Sequence, residues 1–141
     1  MTDTTKRPSV FDMFSTDRDA EENGKWITLA PGVEMKIRRF KSKHTTRVRE
    51  ALEKPFERVR RNGNLPQDIM EKIVHEVLCT STVVDWRGDA IVGQDGNPMP
   101  FSAQAVDELL TALPELRDEV TGHALRMDNF RAADDKDTEG N

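Results

Sequence analysis

The residues best placed to do chemistry fall in one short string, His75-Glu76-Val77-Leu78-Cys79. His75 and Cys79 are four apart, so a helix puts them on one face, and the string resembles a zinc-protease helix whose second His has been replaced. Metal-assisted hydrolysis takes three protein ligands around an open position. The other histidines, His44 and His123, stand in no metal-ligand pattern. The expectation is therefore no metal, with His75 on a helix surface and Cys79 as a small buried side chain. Asp85, Asp89 and Asp95 lack the spacing of a calcium-binding loop, and Asp95-Gly96-Asn97 is read as a tight turn. Neither a Gly-rich phosphate loop nor a Ser, His and Asp arrangement with local motif support occurs. No catalytic residue, no cofactor and no enzymatic activity are expected.

Charge gives the next candidates. The net charge is -5, but residues 36–61 carry eleven Lys or Arg against three Glu, a balance of +8 that leaves -13 for the rest of the chain. Such segregation suits an acidic partner or the opposite end of a second copy. Arg47, Arg58, Arg60 and Arg61 are the candidate contacts in this block, joined by Trp26 and by the Asp95-Gly96-Asn97 turn. A phosphate backbone competes as the partner. Against it, Glu50, Glu53 and Glu57 interrupt the block, the isoelectric point is about 5.3, and no recognition helix or stacking aromatics accompany it.

The elements that must position these residues follow from patterning. With 35% hydrophobic and 33% charged residues and a mean hydropathy of -0.70, the 141-residue chain should bury one modest core. No run approaches the ~18 apolar residues of a membrane span, and the N-terminal stretch lacks the apolar region of a secretory signal. One cysteine makes no internal disulfide, which suits a reducing compartment. Residues 1–24 read as a disordered arm whose only apolar cluster is Val10, Phe11, Met13 and Phe14. This cluster is a short docking motif or a weak contact back onto the domain.

Residues 25–39 alternate around Pro31-Gly32 and predict a β-hairpin with a type II turn. Helical periods then run over about 43–61, with a kink or break at Pro55, and over 66–86, 103–112 and 114–131. The tail 132–141 is acidic and has no core residues. The predicted fold class is mainly α: a small single domain, 25–131, of about four helices with an N-terminal β-hairpin and disordered ends.

The connector after the second helix is organised in more detail than a linker requires. Trp86 closes the apolar stripe of that helix and is read as core. Ser102 is an N-cap, and Phe101 and Val106 flank it at the spacing of a hydrophobic staple. These four residues are the predicted structural set.

A helix ending in Val-x-Trp-x-Gly at 84–88, the Asp95-Gly96 turn, the Pro98-Met99-Pro100-Phe101-Ser102 entry and a final helical pair running to Asn129-Phe130 resemble the tail assembly chaperones of long-tailed (siphovirus-type) bacteriophages, over roughly residues 65–131. The resemblance implies a protein that coats the tape measure protein in the host cytoplasm, helps recruit tail tube protein and leaves before the virion is finished. Such chaperones are often made in a short form and a frameshifted longer one, and this chain suits the short form. Self-association into a homo-oligomer is expected from the segregated charge. A nucleic-acid-binding regulator using residues 36–61 and a minor tail structural protein are the alternatives.

Overall fold

In the computed structural model, residues 7–132 are described. The acidic tail, Ala132 aside, lies outside the described residues. The elements are α1 (Val10–Phe14), α2 (Arg18–Asn23), β1 (Lys25–Ala30), β2 (Val33–Ile37), α3 (Lys43–Glu53), α4 (Glu57–Arg61), α5 (Gln67–Val77), β3 (Val83–Arg87), α6 (Ala103–Ala112) and α7 (Pro114–Leu125). A 3-10 turn at Lys54–Phe56 joins α3 to α4, a π turn at Leu78–Thr82 joins α5 to β3, and a 3-10 turn at Met127–Phe130 follows α7.

The hairpin forms where its alternation places it, with Gly32 at φ 77 in the turn. It is not an isolated pair. β2 is the middle strand of a three-stranded antiparallel sheet ordered β1-β2-β3. Ile27, Met35 and Trp86 stand in one row across the strands and are all buried. Ile37 and Met35 of β2 are fully buried, and Leu78, Val106, Leu110, Val120 and Ala124 complete the core that covers this face. Side chains alternate across a strand, so Trp26, Lys36 and Asp85 form a row on the other face. The close of β3 is set by backbone contact: Gly88 has φ 133, and a Cβ there would lie 2.0 Å from the Gly32 carbonyl oxygen. The hairpin turn and the end of β3 thus meet at a distance that excludes any side chain.

This sheet overturns the expectation of a mainly α domain of about four helices with a peripheral hairpin. The protein is mostly helical but built on a central antiparallel sheet. The helix expected over 66–86 ends at Val77, and its last residues become the π turn and β3. The run Thr80-Ser81-Thr82-Val83-Val84 explains the change, because β-branched side chains lose χ1 freedom in a helix and pack well on a pleated surface. The bare edge of β2 then supplies a partner for that run. All the named residues of the turn except Thr80 are buried, so Leu78–Thr82 passes through the middle of the molecule.

Pro55 splits the third helical segment, as its missing N–H requires. Ser42 caps α3 by accepting from the Thr45 N–H at 3.2 Å, and Ser102 caps α6 by accepting from the Ala105 N–H at 3.0 Å. The stretch expected to be a disordered arm carries α1 and α2 within its described part. Ser9 and Asp17 cap these two helices. The arm is joined to the other end of the described chain by the Asp17 N–H donating to the Phe130 carbonyl at 2.7 Å and the Ala132 N–H donating to Ser15 at 3.1 Å. Its apolar side chains do not make that contact: Val10, Phe11, Met13 and Phe14 are all exposed.

Candidate functional site

The connector between β3 and α6 folds back on itself. Val92 bridges Pro98, the Gly93 N–H donates to the Asn97 carbonyl at 2.8 Å, and the Met99 N–H donates to Ile91 at 3.2 Å. At the tip, Asp95 accepts from the Asn97 backbone N–H at 3.0 Å. That bond, with a second from the Asn97 amide, holds the Asp95 carboxyl below its ordinary value. The base of the connector is anchored by Trp86, whose indole N–H donates to the Met99 carbonyl at 2.8 Å and whose ring meets Phe101 edge-on at 5.4 Å. Phe101 packs against the apolar cluster that contains Val106.

Between this connector and α6 runs a groove of about 960 Å³. Val92, Met99, Phe101, Ala105, Leu109 and Leu113 give it apolar walls, and Leu113 is 48% exposed. Among the described residues its lining includes the carboxylates of Asp95 and Glu108 and no Lys or Arg. An apolar groove lined in part by carboxylates can take an apolar segment flanked by cations.

The predicted contact residues do not converge. Asp95 and Asn97 line the groove with the structural residues Phe101 and Ser102, while Gly96 forms the exposed tip at φ 84. Trp26 lies on the outer sheet face, half-buried beneath the Arg87 guanidinium at 3.9 Å from its ring centre, and Arg87 also donates to Glu34 at 2.7 Å. Arg47 on α3 and Arg58, Arg60 and Arg61 on α4 are exposed, with Arg60 paired to Glu53 at 2.6 Å. Part of the basic block turns inward: Arg38 donates to the carbonyls of Glu22 and Ser81, each at 2.6 Å, and Arg39 pairs with Glu21. Burial, opposed by Glu22, lowers the Arg38 pKa from its usual value. Leu109 and Leu113 are groove residues that sequence reading missed. The sequence signal for them is that the apolar arc of this helix, Val106, Leu109, Leu110 and Leu113, is wider than one core face uses.

Two polar clusters also form. His44 Nδ1 lies 2.7 Å from Ser81 Oγ, which lies 2.9 Å from Thr45 Oγ1. The pair has the composition of a nucleophile and its base. Ser81 is only 1% exposed, so its hydroxyl is closed to a substrate and instead ties the π turn to α3. The second cluster joins α5 to α6: His75 Nε2 lies 2.6 Å from Asp107 Oδ1, and the donor atoms of His75, Cys79 and Asp107 lie within 4.8 Å of one another. Thr111 Oγ1 donates to the same Asp107 oxygen at 3.3 Å. These hydrogen bonds, that from His75 foremost, lower the Asp107 pKa.

The fold defines a small helical domain built on a central antiparallel sheet, with one groove beside α6. Residues 40–141 match the family described as YdaY prophage protein, and the chain belongs to that phage-derived family. No curated protein and no solved structure matches it. Among the described residues, no helix is long and apolar enough to cross a membrane.

Proposed function

We propose that this prophage protein is a non-enzymatic tail assembly chaperone that acts in the host cytoplasm and holds the tape measure protein in its α6 groove until tube subunits replace it. The observation that supports this reading is the groove itself: apolar walls fixed by Trp86 and the Ser102 cap, with carboxylates and no cations along its lining. A long helical assembly protein presents apolar stripes flanked by charge, and a helix laid in a groove reads such stripes at three- and four-residue steps. The phage-derived family and the resemblance of residues 65–131 to tail assembly chaperones point the same way. In this reading the exposed cations of α4 serve a different purpose, pairing with the acidic surface of a neighbouring copy along the same tape measure.

The test is co-expression with the tape measure protein of the same prophage, followed by pull-down. Leu113→Asp should reduce capture by about tenfold or more, since burying an uncompensated carboxylate in an apolar contact costs over 1.4 kcal/mol. Reversal of Arg58, Arg60 and Arg61 to Glu should leave capture intact and lower the sedimentation coefficient at high protein concentration. Undiminished capture by Leu113→Asp would remove the groove from the reading. A gel shift of random duplex DNA that fades steeply with salt would favour the nucleic-acid alternative, and recovery of the protein from purified virions would favour a structural tail component.

A further inference from the structure

We propose that His75, Cys79 and Asp107 form a binding site for a divalent transition-metal ion of the zinc class, set between α5 and α6. His75 and Cys79 occupy successive turns of one helix face, and Asp107 on α6 supplies the third ligand that the local sequence string lacks. Nitrogen, sulfur and carboxylate oxygen make a donor set suited to zinc and poorly suited to magnesium or calcium.

The present hydrogen bonding leaves the group incompletely satisfied. His75 Nε2, with Asp107 Oδ1 at 2.6 Å, is the ring nitrogen that faces the third ligand, and among the described residues His75 Nδ1 is buried without a hydrogen-bond partner. The Cys79 thiol is buried, and binding of a divalent cation releases its proton to solvent as the sulfur becomes a ligand.

The distances permit closure. Zn–N and Zn–S bonds of about 2.0 and 2.3 Å place tetrahedral ligand atoms roughly 3.3–3.8 Å apart. The donor atoms lie within 4.8 Å of one another, so the Cys79 sulfur approaches by about 1 Å or less while His75 Nε2 and Asp107 Oδ1, now 2.6 Å apart, open by roughly 0.7 Å. Asp107, whose side chain is 57% exposed, has room for that movement and exchanges its hydrogen bond from His75 for the ion. Entry is provided by a cleft of about 370 Å³ that reaches His75, Asp107 and Thr111 between Asp68, Glu71, Lys72 and Arg117. Water from this cleft takes the fourth position. The bound ion would clamp α6, one wall of the groove, to α5.

Cobalt(II) tests the site in the full, metal-free chain. The expected result is a thiolate-to-cobalt charge-transfer band in the near ultraviolet, with visible bands of tetrahedral intensity, that saturates at one equivalent and is displaced by zinc. Cys79→Ala should lose the charge-transfer band. Asp107→Asn and His75→Gln should weaken cobalt binding by about tenfold or more, with far-ultraviolet circular dichroism unchanged. Absence of the charge-transfer band in the parent protein at excess cobalt overturns the proposal. So does an Asp107→Asn protein that binds cobalt as tightly as the parent, which keeps the test open even if Cys79→Ala misfolds.

Discussion

The Trp86 indole combines two roles that no smaller side chain can fill: its ring completes the buried row with Ile27 and Met35, and its N–H satisfies the Met99 carbonyl. At 7% exposure, its truncation leaves a large void. Trp86→Ala should therefore destabilise the fold by about 3–5 kcal/mol. Trp86→Phe keeps much of the apolar contact and removes the hydrogen bond, for a loss of about 1–2 kcal/mol. Urea unfolding of the three proteins measures both, and a Trp86→Ala protein with the parent's midpoint would place the indole outside the core. That Trp86 is core was legible in the sequence because it ends an apolar run. That it is core from a strand was not, since Val77 and Val84 are seven apart and fit a helical stripe as well as the observed turn and strand. At the His75, Cys79 and Asp107 cluster the sequence exposed the His75 and Cys79 pair, but Asp107 could not be ranked among the chain's many carboxylates without the packing of α6 on α5.

Elements here are joined by polar contacts at the π turn as much as by apolar packing. Ser81 stands between His44 and Thr45 of α3, and the Thr82 carbonyl accepts from the Arg38 N–H at 2.8 Å. The Ser81 hydroxyl and the Ser81 and Thr82 carbonyls thus find partners, while the buried Thr82 hydroxyl has none among the described residues. Burial, then Arg38 and Arg47, lower the His44 pKa below 6.5, with Glu22 acting in the opposite direction. The unfolded chain, with His44 near 6.5, therefore takes up a proton at a higher pH than the folded chain does. Well above 6.5 the imidazole is neutral in both states and its contribution is flat. As pH falls from 6.5 through the folded value, the unfolded state binds more protons and stability declines. The His44 ring resonances should titrate with a midpoint below 6.5, and His44→Gln should flatten the fall of stability with acid in that window. A midpoint at or above 6.5 would show that the imidazole is not held against these arginines. Caps and breaks at this scale were legible, because Ser102, Pro55 and Pro31-Gly32 act through their own backbone chemistry. The pairing of β3 with β2 was not, because it depends on residues about fifty positions apart in sequence.

At the scale of the molecule, the two ends of the described chain close on each other. Thr16 bridges Arg131, and backbone donors from Asp17 and Ala132 fix Phe130, fully buried, beneath the start of α2. Composition hid this closure: residues 7–24 have too few apolar side chains to fold alone, and backbone groups together with one arginine make the contact. Arg131 is the side chain that spans it, donating through Nη1 to the Met13 carbonyl and through Nε to Asp128 at 2.7 Å. Because α1 buries no side chain, its order depends heavily on these hydrogen bonds. Arg131→Ala removes both side-chain bonds and leaves the Asp17 and Ala132 backbone bonds in place. The expected outcome is local: amide exchange in residues 10–15 should accelerate by about tenfold, which corresponds to a loss of about 1.4 kcal/mol from the opening free energy. Exchange at Met35 and Val77, buried in the central sheet and α5, should remain at the parent's rate. Hydrogen-exchange mass spectrometry separates the two regions in one experiment. Equal acceleration in both would mean that the end-to-end contact supports the whole domain, and an unchanged rate in α1 would mean that the backbone bonds hold it without Arg131.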